Sequence, residues 1–308
     1  MIMISVVILS WNRKEELKRT LKDLGRQTCK DFEIVIVDQG SDDGVREYLQ
    51  KECSSMKVIY LDNNIGVPGG RNTGARASSG DILVFLDNDA SLSDDALEIV
   101  SEKFRLNEKL GIIGFKILNA ENDDLDISSW AYQKAKIRDA DREFETYTYC
   151  GCGHAIRKEV FEKVGYYWED LVFSWEEQEY SLRVLDKGFD IIYTPEIKVY
   201  HRFSGLNRVF NPEHECLRLR NSLWVTWRYM PGYYALGHSI VRIMTYLVKS
   251  IKNRCLGMMV MSLVRSFSRI WLLFDKNRRI SGKTFRKYIG LSRKGTILEQ
   301  AKYLLTHG

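Results

Sequence analysis

Residues 81–89 read Asp-Ile-Leu-Val-Phe-Leu-Asp-Asn-Asp. The apolar run Ile82 to Leu86 suits a strand buried on both faces, and it ends abruptly in two carboxylates one residue apart. Three strand–helix units precede it. Ile4 to Leu9 is a short β-branched run, followed by Arg13 to Leu24, where Leu17, Leu21 and Leu24 share one helical face. Phe32 to Val37 ends in Asp38 and is followed by a helical stretch from Gly44 to Cys53. Lys57 to Leu61 precedes Gly70 to Ser79, whose small residues suit a helix packed closely on a sheet. The order βαβαβαβ predicts a parallel α/β sheet covered on both faces. Beyond it, helices are expected over 94–105, 158–164 and 177–187, and strands over 111–118, 189–193 and 198–200.

In such a sheet, ligands bind beyond the carboxyl ends of the strands. Four of those ends are polar or glycine-rich: Ser10-Trp11-Asn12, Asp38 to Asp42, Asn63 to Arg71, and Asp87-Asn88-Asp89. The same residue types also serve as ordinary turn and cap residues, but four coincident clusters point to a ligand site. Asp87 and Asp89 can both face a divalent cation whose shell is completed by water and phosphate oxygens. Asp38 can accept hydrogen bonds from a base or ribose. Arg71, in a glycine-rich loop, can clamp a diphosphate or be an incidental surface arginine. Glu176 and Glu177 follow Trp175 at the start of a helix; acids there suit the helix dipole, and equally supply a general base for a hydroxyl. His201 is either a structural histidine or a third metal ligand.

Other classes are disfavoured. A dinucleotide fold needs GxGxxG after its first strand, and residues 10–15 contain no glycine. The chain lacks a Walker A sequence and the glycine-rich, lysine-bearing first loop of a nucleotidyltransferase, which is the nearest enzymatic alternative. Its six cysteines, at 29, 53, 150, 152, 216 and 255, form no zinc pattern, so reduced thiols and a cytoplasmic setting are expected. The N-terminal run lacks a basic leader and reads as a strand.

Taken together, SVVILSWNR, IVIVDQGSDDG, NNIGVPGGRNTGARASSGDILVFLDNDA, GCGHAIRKEVFEKVG and WEEQEYSLRVLDKGFDIIYTPEIKVYH resemble family 2 glycosyltransferases, inverting enzymes of the GT-A fold. The resemblance covers residues 3–205. It implies a Rossmann-like, doubly wound, mostly parallel sheet with a C-terminal helical extension, and transfer of a sugar from a nucleoside-diphosphate donor. Ser10, Asp38, Arg71, Asp87 and Asn88 would contact the nucleotide sugar; Asp87, Asp89 and His201 would hold Mn²⁺ or Mg²⁺. Glu177 would be the base, in a Glu-Glu pair where the family usually has Glu-Asp, which leaves Glu176 open as an alternative. Gly151, Cys152, Gly153 and Trp175 would shape the acceptor side. UDP- and dTDP-sugars, and cell-envelope polysaccharide or glycolipid assembly, are the family's usual setting. A non-catalytic nucleotide-sugar-binding module is the competing reading.

Charge is distributed unevenly. Residues 202–308 carry 20 Lys/Arg against 4 Asp/Glu, whereas residues 1–201 carry 26 against 37. The expected division is a catalytic domain over 1–205 and a basic helical region over 206–308, with helices over 217–230 and 233–274. No run reaches the roughly 18–20 apolar residues needed to span a bilayer. Two readings of the basic region stay open. Residues 206–280 either contact an anionic membrane from its inner face, the favoured reading, or pack on the catalytic domain or form a homodimer. Nucleic acid is not expected as a partner, since the acidic half would repel phosphate backbones.

Overall fold

The computed structural model describes residues 2–54, 56–202, 211–267 and 279–292. The expected 205/206 boundary and residues 268–274 of the long C-terminal helix lie outside the described residues. The first half follows the alternating plan: β1 (Ile4–Ser10), α1 (Lys14–Leu24), β2 (Phe32–Gln39), α2 (Val45–Glu52), β3 (Lys57–Leu61), α3 (Gly66–Ala77) and β4 (Ile82–Asp87). There follow β5 (Ala90–Leu92), α4 (Ala96–Leu106), β6 (Leu110–Asn119), β7 (Phe144–Glu145), β8 (Gly153–Arg157), α5 (Lys158–Val164), α6 (Glu176–Asp186) and β9 (Asp190–His201). Four helices close the described chain: α7 (Pro212–Tyr229), α8 (Gly232–Lys252), α9 (Leu256–Phe267) and α10 (Gly282–Ser292).

The strands form one sheet in the order β3-β2-β1-β4-β8-β6-β9-β5, with β7 on β9. The first four run parallel, and β6 runs parallel to β9. β8 is antiparallel to both β4 and β6, and β5 and β7 are antiparallel to β9. The sheet is therefore mixed and mostly parallel. β5, β7, β8 and α10 were not expected from the sequence, and residues 190–201 form one strand where two were expected. Its pairing with β6 shifts between Phe115 and Lys116, opposite Thr194 and Lys198. Pro195 falls in that gap, where its missing N–H cannot join the ladder.

Side chains alternate between two cores. Ile4, Val6 and Ile8 of β1 pack with α1, α2 and α4 on one face, while Val7 packs on the other. That second core contains Tyr180 and Leu182 of α6, Trp224, Val225 and Tyr229 of α7, and Tyr288 of α10. The Tyr229 hydroxyl donates to Glu179 at 2.5 Å, and the Lys287 ammonium pairs with Asp190 at 2.8 Å. α7 and α10 thus share a core with the strands and helices of the first half of the chain. α8 and α9 form a hairpin packed on α7 through a small cluster of Leu219, Leu223 and Met259. Helix 233–274 is interrupted at residues 253–255, where Arg254 has φ 54°.

Candidate active site

β4 delivers Asp87, Asn88 and Asp89 to the edge of the sheet. The antiparallel register of β5 with β9 sets His201 opposite Ala90, so its ring faces Asp89. Asp89 Oδ2 lies 2.6 Å from Arg13 Nη1, and Asp89 Oδ1 lies 3.5 Å from His201 Nε2. On the far side of the ring, His201 Nδ1 lies 3.1 Å from Asp126 Oδ2. Asp126 also accepts from the backbone N–H of Ser128 and the hydroxyls of Ser128 and Ser129. Such a carboxylate behind an imidazole fixes its orientation and directs Nε2 outward, as it does behind metal-binding histidines.

Burial pushes the Asp87 carboxyl above its usual range, and the neighbouring Asp89 charge adds to this. Burial acts on Asp89 too, but His201 and Arg13 outweigh it and hold that carboxyl low. For His201, burial alone would favour the neutral ring; Asp126, Asp89 and Asp87 reverse this and raise it to about 10. The carboxylates therefore draw an imidazolium and a guanidinium onto themselves. Among the described residues, no three carboxylate, imidazole or thiolate groups converge as a ready-made cage. The donor set fits a divalent cation that shares its shell with a diphosphate, which is how magnesium-like ions are commonly held.

The expected nucleotide residues are mostly enclosed. Ser10 is buried, paired in register with Asp38. Asp38 is also buried; Oδ2 lies 3.0 Å from Arg46 Nε, and Oδ1 accepts from Ser41 N at 3.3 Å. The Asn88 amide donates to Asn12 O at 3.3 Å, tying the Asp87-Asn88-Asp89 turn to the loop after β1.

The opposite wall carries the acid pair. Arg71 of α3 is buried; its Nη1 lies 3.0 Å from Glu177 Oε1 and 3.6 Å from Glu176 Oε1, and Nη2 donates to Gly151 O at 3.1 Å. The stretch expected as a glycine-rich loop is helical from Gly66, which turns this guanidinium toward the acid pair. A Cβ on Gly151 would sit 2.3 Å from Glu177 Oε1 and 2.6 Å from Arg71 Nη2, so a larger residue would displace this pair. Burial raises Glu176 well above the carboxylate range, and the adjacent Glu177 charge adds to it. Glu177 is the more open of the two, with 18% of its side chain exposed against 4%. Cys152 and Gly153 back the wall. Burial raises the thiols of Cys150, to about 12, and of Cys152, so both are packing residues. All six cysteines are free.

The loop that aims this pair is unusual. Val172, Ser174 and Trp175 have φ of 61°, 69° and 75°, each costing of order 1–3 kcal/mol for a non-glycine residue. It is held from two sides. Val67 N donates to Val172 O at 2.8 Å. The buried Asn221 amide of α7 reaches the carbonyls of Leu171, Phe173 and Ser174 at 2.8, 2.9 and 2.8 Å. Trp175 then packs edge-on against His238 and under Arg242 of α8.

Here lies a cleft of about 620 Å³, lined among others by Asp87, His201, Gly151, Cys152, Glu176 and Glu177; Asp87 N donates to Cys152 O at 3.1 Å, joining the carboxylate turn to the acid pair's wall. That volume suits a sugar-sized ligand. Trp130, Phe173 and Arg218 also line it. Asp89, Asn88, Ser10, Asp38 and Arg71 stand behind or beside it, as do Gly153 and Trp175. Sequence reasoning missed Asp126, Asn221 and Arg218. Asp126-Ile-Ser-Ser carries an Asx-turn signal; nothing local marks the other two.

Comparison with known proteins bears on this geometry. A glycosyltransferase of undetermined specificity from Haemophilus influenzae is 36% identical over 111 residues, which is 36% of this chain and 37% of that relative's length. The dTDP-rhamnosyl transferase RfbF of Shigella flexneri is 24% identical over 242 residues, 71% of this chain and 78% of its own. A mannosyltransferase from Pyrobaculum calidifontis, solved with GDP-Man and Mn²⁺, shares the fold with a TM-score of 0.59 at 14% identity, over 98% of this chain and 87% of that one. The family model for glycosyl transferase family 2 matches residues 5–165, more than half of the sequence, and the chain belongs to that family.

Proposed function

We propose that the chain transfers a glycosyl group from a nucleoside-diphosphate sugar, of UDP or dTDP type, to a hydroxyl of a glycan or lipid-linked acceptor in cell-envelope polysaccharide or glycolipid assembly, with inversion and with a divalent cation. The observation that carries this reading is the cleft itself, whose lining brings Asp87 and His201 together with Glu176 and Glu177. The similarity to a dTDP-rhamnosyl transferase supports the donor class.

Asp87, Asp89 and His201 would hold Mn²⁺ or Mg²⁺, with Asp126 orienting the imidazole. Such a cation, when bound, neutralises charge developing on the departing diphosphate. Glu177 accepts the proton of the acceptor hydroxyl as its oxygen attacks the anomeric carbon. The bond from that carbon to the phosphate oxygen breaks on the opposite face, and the nucleoside diphosphate leaves with the electron pair. Arg71 fixes the rotamer of Glu177, and Glu176, kept protonated by burial, adds no second negative charge. The protein contributes chiefly positioning and preorganised charge.

A panel of UDP- and dTDP-sugars with Mn²⁺, followed by release of the nucleoside diphosphate, tests the reading. One donor should turn over, and Asp89→Ala should lose metal-dependent donor binding. No release from any donor, or metal-independent release by both proteins, would contradict it.

A further inference from the structure

The polarity of the α8–α9 hairpin is inverted. In a helix resting on a protein core, apolar residues face inward and polar ones outward. On α8, the residues turned outward are Tyr233, Leu236, Ile240, Met244, Val248 and Ile251, each 55–74% exposed, and Lys252 at the end. Their spacing of three and four places them in one stripe. α9 repeats the pattern with Val260, Val264 and Phe267. The hydroxyls face the other way. Ser239, Ser250, Ser262 and Ser266 are buried, and each donates to a backbone carbonyl.

The charges of α8 are also withdrawn from the stripe. Arg242 turns inward over Trp175 and Tyr246, and Lys249 pairs with Glu215 at 2.7 Å. Exposed charge is confined to the rim: Lys252 and Arg254 at the hairpin turn and Arg265 near the end of α9. Residues 216–267 carry eight Lys/Arg and no Asp/Glu. No described helix is long and apolar enough to cross a membrane, and the inner side of the hairpin is already packed on α7. This is the build of a helix pair that lies in a membrane interface.

We propose that the outer face of the α8–α9 hairpin is a membrane-docking surface for an anionic bilayer, with the Tyr233–Ile251 stripe seated among the acyl chains and Lys252, Arg254 and Arg265 at the headgroups. A second copy of the chain is a poorer occupant. An isologous pairing through this face would bring Lys252 and Arg254 of both copies together, and residues 216–267 hold no Asp/Glu to offset them. Docking stands independently of the transfer reaction. Its consequence for the acceptor rests on the proposed function: Trp175, immediately before Glu176, touches α8, so the docked hairpin sets the acid pair beside the lipid surface and favours a lipid-linked hydroxyl.

The test is sedimentation of the full chain with phosphatidylcholine vesicles, with and without phosphatidylglycerol. The chain should pellet with the anionic vesicles, and Ile240→Glu/Val248→Glu should reduce partition at least tenfold. Lys252→Glu/Arg254→Glu should reduce it by a similar factor. Both variants alter exposed residues outside the cleft lining, so nucleotide release from a water-soluble donor should be unchanged. Recovery of the wild type in the supernatant with both vesicle types overturns the proposal, as does equal partition onto both. So does a dimer in light scattering that the Ile240→Glu/Val248→Glu variant dissociates.

Discussion

On the wall proposed to hold a metal, called the metal wall below, Asp87, Asp89 and His201 sit at or just beyond the ends of β4 and β9, positioned by sheet register and by one carboxylate behind the imidazole. On the acid wall, Glu176 and Glu177 begin a helix after a loop with three non-glycine residues at positive φ, and a buried amide 47–50 residues downstream holds that loop. A site at strand ends inherits its geometry from the sheet's own hydrogen bonds. A site on a strained loop must be held by contacts from elsewhere, and here the C-terminal helices supply them. The two walls should therefore fail differently: the first in cation and donor affinity, the second in turnover.

The largest effect is expected on the acid wall. Glu177→Gln should lower kcat about 10²–10⁴-fold, the usual worth of a general base, as read by nucleoside diphosphate release. A loss no greater from Glu177→Gln than from Glu176→Gln would move the base to Glu176. Gly151→Ala comes next. Its Cβ cannot share space with Glu177 Oε1, and a displacement near 1 Å is worth about 10² in rate. Nucleotide affinity should be unaffected in that variant; a parallel fall in both would mean that the walls are not separable. On the metal wall, Asp126→Ala should weaken Mn²⁺ about 10–100-fold in a metal titration of turnover. An unshifted titration would remove His201 from the proposed cation site. Smallest is Asn221→Ala, which strips donors from buried carbonyls and should cost about 1–3 kcal/mol in denaturant unfolding. It should lower kcat with little change in donor affinity.

This difference also explains what the sequence discloses. The parallel half is written in local patterns: the β-branched runs of β1 to β4 and the leucines of α1 recur where strand and helix periods put them. Asp87, Asp89 and His201 stand out in the sequence because each ends a strand or follows one closely. β8 was not expected because Gly153 to Arg157 is a short run containing a histidine and an arginine, and β4 and β6 recruit it from outside. Asp126 lies in a polar stretch whose role appears only once β9 brings His201 to it. Arg71 looks like a loop arginine near a phosphate, and its tie to Glu177, 106 residues away, has no local mark. Asn221 sits amid helical apolar residues, and only the fold shows which carbonyls it reaches. The basic character of the C-terminal third was plain, but its division was not: α7 and α10 belong to the core, and α8 and α9 turn their apolar faces outward.

The most direct measurement is calorimetric titration of Glu177→Gln with the nucleoside diphosphate of the active donor, with and without Mn²⁺, beside its turnover. The account predicts wild-type affinity, still dependent on Mn²⁺, in a protein that has lost turnover. Retained turnover, or loss of metal-dependent nucleotide binding in that variant, would contradict the division of the cleft into a wall that holds the donor and a wall that takes the proton.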